Sequence, residues 1–288
     1  MVRLTLAVEL DYLVGAPGCD FIFNIHAAHT ARQRVLDEQL EVSQPLPLTV
    51  DTDPVSRNRY LRLSARPGPL RVAYRATVDL LHHAALPAGI AEVPVARLPT
   101  SVLGYIYPSR YCPSDLLLKL AAREFGHHGH GHARVQYIRD WVQQRIRFQS
   151  NSSNSSTSAV DTLLSTVGVC RDFAHLMIAL CRAVNIPARF ATGIDYGADP
   201  ALGPTDFHAY VEAYLGDRWY IFDPSGTAVP MGFVRFGTGR DAADAAFATL
   251  FGSVTAAVPR IHIAALPGAD GRLVLPWHCP EALSTDDG

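Results

Sequence analysis

The sequence has no long apolar run; none approaches the roughly 20 residues a helix needs to cross a bilayer. It has no basic stretch either. Lysine and arginine number 25 against 27 aspartates and glutamates, a formal net charge of −2, which argues against a nucleic-acid surface. Cysteine is scarce and odd in number. The five residues, at 19, 112, 170, 181 and 279, are too scattered for a disulfide framework, and that usage fits a reducing cytoplasm. The N-terminus lacks a signal peptide's apolar centre, because Glu9 and Asp11 interrupt it and the Leu4, Leu6, Val8 alternation reads as a strand. The sequons at Asn151 and Asn154 then mark only a polar loop. No Asp-x-Asp-x-Asp-Gly calcium loop occurs, so no metal requirement is expected, and no cofactor is expected either.

What is present is a globular composition, 48% hydrophobic and 18% charged over 288 residues, enough for one large domain or two ordinary ones. Residues 1–106 read as a β-rich, sandwich-like domain. Strand patterns recur in Leu4–Leu10, Cys19–Ala27, Arg59–Ala65 and Leu70–Leu80, with turn chemistry at Gly15-Ala-Pro-Gly18 and Arg66-Pro-Gly-Pro69. Helical patterns begin in the second part, 107–288. One helix starts near Pro113-Ser-Asp115 and ends at Gly126. A second, over about 133–147, carries Val135, Ile138, Trp141, Val142 and Ile146 on one face. Residues 149–158, QSNSSNSSTS, form a polar loop, and Asp161 begins a short helix.

Gly168-Val-Cys-Arg-Asp-Phe-Ala-His175 places a cysteine between a glycine turn and an apolar run. Phe173, Leu176, Met177, Leu180 and Val184 form one helical stripe, which Asn185-Ile-Pro187 ends. Cys170 therefore falls in the first turn of a mostly buried helix. A helix start offers unpaired N–H groups and about half a positive charge, and both favour a thiolate over a thiol. Cys181, in the middle of the same helix, reads as packing, and packing is the alternative for Cys170. Asp172 in the first turn complements the helix dipole.

A thiolate nucleophile needs a histidine to hold its proton and an acid to orient that histidine. Of 12 histidines, His127, His128, His130 and His132 lie in a glycine-rich connector, where a metal is the alternative use. His208 lies in an alternating strand, Asp206–Leu215. Gly216-Asp217 turns the chain, and Arg218–Asp223 is the return strand, stopped by Pro224. With the turn centred there, His208 faces Ser225 and Asp223 is its diagonal neighbour, about 7–8 Å away between backbones and on the same face. A slip of one residue would separate them.

These segments resemble the transglutaminase-like superfamily of papain-type cysteine enzymes. The matching pieces are Gly168–His175, Asn185-Ile-Pro-Ala-Arg-Phe190, Phe207-His-Ala-Tyr-Val-Glu212 and Trp219-Tyr-Ile-Phe-Asp-Pro224. The whole is similar to a bacterial branch with an N-terminal β-rich domain, and Tyr107–Tyr111 and Gly237–Ala243 are similar to segments of that branch. The resemblance implies an α+β fold, with a papain/transglutaminase-like catalytic core at 107–288 behind the β-rich domain. It implies Cys170 as nucleophile, His208 as general base and then acid, and Asp223 as the group orienting the imidazole. The substrate would be a peptide or protein amide, cleaved or transferred through a thioester, with the Cys170 backbone N–H holding the oxyanion. Transglutaminases proper place an indole donor upstream; Phe148 stands there and has no N–H, so Gln149 is the candidate. A silent fold serving as a binding module is the rival reading. Nothing in the sequence sets an oligomeric state.

Overall fold

The computed structural model describes residues 1–197 and 205–286. The first strand, β1 (Val2–Phe23), alternates apolar residues facing the core with exposed or half-exposed ones. Val2, Leu4, Leu6, Val8, Leu10, Tyr12 and Val14 are all buried. Around it lie β2 (Gln33–Val42), β3 (Thr49–Thr52), β4 (Arg59–Ala65) and β5 (Gly68–Leu80), in the order β2-β5-β1-β4-β3, all antiparallel. β5 repeats the alternation, with Leu70, Val72, Tyr74, Val78 and Leu80 on the buried face. A short strand, β6 (His83–Ala85), and a four-residue helix, α1 (Thr100–Leu103), lead into the second part.

That part runs α2 (Leu118–Phe125), α3 (His132–Arg145), β7 (Arg147–Phe148), α4 (Ala159–Ser165), β8 (Val167–Gly168) and α5 (Cys170–Ala183). Ser158 and Asp161 form a reciprocal capping box at α4. Next come β9 (Ala188–Asp195), β10 (His208–Leu215), β11 (Arg218–Phe222) and β12 (Phe233–Gly239), an antiparallel sheet ordered β11-β10-β9-β12. Every residue of β9, β10 and β12 is buried, because both faces of the sheet are covered. On one face Val211, Ala213 and Leu215 join the helices in a single apolar cluster with Phe173, Met177 and Leu180 of α5.

The chain then returns. After α6 (Ala242–Ala245), β13 (Ala248–Ala256) and β14 (Arg260–Leu266) pair with β1, and β15 (Ala282–Ser284) pairs with β6. Residues 248–266 thus complete the N-terminal sheet, although the sequence placed all of 107–288 in one unit. β13 also explains Gly15-Ala-Pro-Gly18. It pairs with Tyr12–Val14 and again with Cys19–Phe23, so those four residues are an irregularity inside one long strand and not a turn between two.

Side-chain amides join the two sheets. β12 is an edge strand, with free N–H and C=O groups along its outer side. Gln33 accepts from the Arg235 N–H (2.9 Å) and donates to the Arg235 carbonyl (2.8 Å). Asn58 does the same at Thr238, accepting at 2.9 Å and donating at 2.8 Å. The N-terminal sheet thereby stands in for a missing strand, and Ile194, Val234 and Phe236 of the second sheet enter its apolar core.

Candidate active site

Cys170 is the first residue of α5. Val169 before it is extended (φ −103°, ψ 174°), and its N–H donates to Asp172 Oδ2 at 2.9 Å. That closure needs Gly168, since a Cβ there would lie 2.8 Å from the Asp172 Cβ. Asp172 is buried and caps the helix, as its first-turn position suggested. Arg171 reaches out instead, donating to Ser153 Oγ (3.0 Å) and the Asn154 carbonyl (2.8 Å). It pins the polar loop beside the thiol. As a first-turn group, the Cys170 N–H has no acceptor within the helix and is available to an oxyanion.

His208 opens β10, and its partner strand is held in the register read from the turn. Leu215 pairs with Arg218 and Val211 with Phe222, across Gly216 (φ 53°) and Asp217 (φ 65°). His208 Nε2 lies 3.5 Å from Asp223 Oδ1, a loose contact of the kind that tightens once substrate is bound. Asp223 itself is firmly held. Its Oδ1 accepts from the Ser225 N–H (2.9 Å) and hydroxyl (2.6 Å), and its Oδ2 accepts from the Ala228 N–H (3.0 Å).

With Nε2 turned to Asp223, Nδ1 is the nitrogen left for the thiol. Cys170 Sγ lies 4.0 Å from the Phe207 carbonyl, one residue before His208. Burial disfavours a charged imidazole, but hydrogen bonds to Asp223 and to Cys170 outweigh it and carry the His208 pKa well above its ordinary value. For Asp223, burial pushes upward, and the His208 hydrogen bond and charge, with Ser225 and Ala228, pull it below the usual range. Both shifts favour an imidazolium beside the Asp223 carboxylate. The structure thus brings Cys170, His208 and Asp223 together.

Cys170 and His208 share a cavity of about 480 Å³ that is also lined by Phe190, Thr192, Ala245, Ala246 and Phe247. Phe247 stacks on Phe207 at 4.1 Å between ring centres, and its carbonyl accepts from the Asn24 N–H at 2.9 Å. The N-terminal sheet therefore fixes one wall of the cleft. By contrast, Cys112 and Cys181 are fully buried, and burial pushes the Cys112 thiol up to about 12 and that of Cys181 further still. Both are packing residues.

Other readings come out differently. The Gln149 side chain is exposed, its Oε1 accepts from Arg147 at 3.1 Å, and it is not among the residues lining the cleft. The connector histidines are dispersed. His128 stacks on Tyr137, His130 Nδ1 lies 2.9 Å from Arg134, and His132 is buried against Phe222. Among the described residues no three His, Cys, Asp or Glu side chains gather as a metal would require.

The contacts of three residues could not be read from the sequence segment by segment. His175, fully buried one turn beyond Cys170, stacks on Tyr111 at 5.1 Å and accepts from the Ala242 N–H at 3.1 Å. Asp241 caps α6 and also accepts from the Tyr111 N–H at 2.9 Å. Residues 107–111 and 237–243 therefore meet at the cleft rim, a contact between distant segments that no local pattern shows. The third is Asp195, buried on the same sheet face as His208; counting register through β9 would have found it.

The sequence profile of the Transglutaminase-like superfamily matches residues 119–224, and that of the bacterial transglutaminase N-terminal domain matches residues 2–101. A crystal structure described as "a Putative Cysteine Protease from Cytophaga hutchinsonii" is 38% identical, with a TM-score of 0.91 over 98% of this chain and 97% of that one. An uncharacterized protein of Mycobacterium leprae is 25% identical over 146 residues, 49% of this chain and 52% of that protein. One of Mycobacterium tuberculosis is 32% identical over 124 residues, 38% of this chain and 40% of that protein. The match spans about half or less of the length of these curated relatives.

Proposed function

The chain belongs to the transglutaminase-like superfamily, and on that premise we propose that it is a cysteine-dependent enzyme acting on amide bonds, as a peptidase or amidase. The observation that carries this is that Cys170 and His208 meet in one cleft, from a helix start and a hairpin strand, with Asp223 against the far nitrogen of the imidazole. The Cys170 thiolate attacks the amide carbonyl and forms a C–S bond. The carbonyl oxygen becomes an oxyanion facing the Cys170 N–H. The C–N bond then breaks, and the leaving amine takes the proton from the His208 imidazolium. Water, deprotonated by His208, attacks the thioester, and the C–S bond breaks to return the thiolate and imidazolium. Asp223, fixed by three donors, holds the ring in the tautomer and orientation both steps use.

An amine in place of that water would make the same thioester a transferase intermediate. A peptide or protein amide as substrate accords with the name of the Cytophaga protein. A cytoplasmic location is proposed with it, on the five unpaired thiols. Trapping tests the reading. A library of peptide and side-chain amides is incubated with the enzyme and quenched in acid. The expected result is an acyl adduct on Cys170 that alkaline hydroxylamine releases and that Cys170→Ala lacks. A library that leaves Cys170 unmodified in every quench would favour a binding module. Following the product with and without added amine decides between water and an amine as acceptor.

A further inference from the structure

His208 has a carboxylate on each side. β10 pairs Val211 with Phe222 on one edge and His208 with Gly193 on the other. Carried along the strands, this register places Asp223 diagonally from His208 towards Tyr210. Asp195 stands diagonally in the opposite sense, towards Asp206, on the same face. Asp195 is 3% exposed, and among the described residues its Oδ2 has no hydrogen-bond partner. The Tyr210 hydroxyl, on the same face of β10, is likewise buried and without a partner among the described residues. A buried carboxylate oxygen without a donor is costly, and neither helix capping nor an ion pair accounts for this one.

We infer that Asp195 is a second positioning carboxylate for the reaction, acting through His208: its charge supports the imidazolium that Asp223 orients. This rests on the cysteine-enzyme reading above. The charged and titratable groups around it fit the role. On β10 these are His208 and Tyr210, with Glu212 further along and already taken by Arg189 and Arg235. Beyond β11 stands Asp223, and Cys170 lies past the imidazole. On β12 Phe233 stands opposite Asp195, and Arg235 is turned to Glu212 and Asp286. The loop 224–232 brings no titratable group. Among the described residues, His208 is thus the cation left for Asp195 to act on.

Burial pushes the Asp195 carboxyl up to about 6, against the lowering by His208 and with the raising by Asp223. Its sign is that of a raised acid. The fold favours the protonated form, and stability present below the unfolded pKa is lost as pH rises through about 6. Ionised Asp195 therefore burdens the fold while serving the imidazolium, and a neutral isostere should reverse both effects.

The test is Asp195→Asn. Alkylation of Cys170 by chloroacetamide is followed by peptide mass spectrometry from pH 4.5 to 8.5, beside melting curves at pH 5 and pH 8. The wild type should show an inflection near pH 6 that the variant lacks. The variant's rate above pH 7 should fall by about tenfold, the equivalent of one pKa unit of lost support. Its melting temperature should rise at pH 8, and rise by a smaller amount at pH 5, where part of the penalty is already present. An unaltered pH profile overturns the inference, as does a lower melting temperature at pH 8. Titration of the wild-type His208 ring by NMR decides without a variant, since a step near pH 6 separate from the ring's own ionisation is required. His208→Ala separates the two levels. If it leaves Cys170 labelling unchanged, the cysteine-enzyme reading fails; if it slows labelling and Asp195→Asn does not, only this inference fails.

Discussion

His208 and Asp223 stand two residues out of direct cross-strand opposition, with Nε2 of the ring 3.5 Å from Oδ1 of the carboxylate. The offset matters because directly opposed side chains lie parallel. A diagonal pair lets the carboxylate reach the far edge of the imidazole and leaves the near nitrogen to the thiol.

Asp223 has a structural as well as an electrostatic task. Replacing it by Ala strands the Ser225 N–H and hydroxyl and the Ala228 N–H in the interior. Each buried group left unsatisfied costs about 1–3 kcal/mol, so Asp223→Ala should lower the denaturation midpoint markedly. Asp223→Asn keeps the shape and an acceptor. Its amide NH2 leaves one buried donor without an acceptor, so it should cost less stability than Asp223→Ala but still a measurable amount, while reducing kcat by about a hundredfold or more, since the proton-transfer histidine loses its anion. Denaturant titration beside steady-state kinetics separates the two effects.

Acid should unfold the protein through its buried histidines. Burial holds His26, His82 and His132 down to about 4. A histidine with a folded pKa below its unfolded value of about 6.5 contributes stability that is complete above 6.5 and is lost as pH falls through the folded value. Each gap is worth on the order of 3 kcal/mol. The melting temperature should therefore drop steeply between pH 6.5 and 4, and His132→Gln should flatten that slope.

A buried charge network lies along the β11-β10-β9-β12 sheet, away from His208. Arg189 donates to Glu212 and to Asp286, each at 2.6 Å, and Arg235 reaches the same two acids at 3.1 Å. Glu212 is fully buried, so Glu212→Gln leaves two guanidinium groups facing only one acid. Removing one member of such a buried set costs about 3–5 kcal/mol. Chemical denaturation should show a loss of that size, whereas Arg240→Gln at the exposed pair with Asp244 should change stability by less than about 1 kcal/mol.

The parts of this site legible in the sequence are those set by local rules. Gly168 through Asp172 announce a helix start, and the parity of His208 and Asp223 follows from a two-residue turn at Gly216-Asp217. The helix positions followed from periodicity in the same way, whereas the fold class rested on the family resemblance. What stayed hidden depends on distant pairing. The return of residues 248–266 to β1 joins strands more than two hundred residues apart, and a cross-strand ladder leaves no mark in either strand alone. Likewise, Gln33 and Asn58 look like surface amides until β12 is seen to lack a neighbour on their side.

The central claim is that His208 activates Cys170, and the rate of Cys170 alkylation at pH 6 tests it most directly. An imidazolium–thiolate pair should label much faster there than an ordinary thiol, which is almost wholly protonated with a pKa near 8.5. His208→Ala should slow Cys170 by at least about tenfold and leave the half-exposed Cys279 at its own rate. Equal labelling of Cys170 in the wild type and the variant would contradict the account.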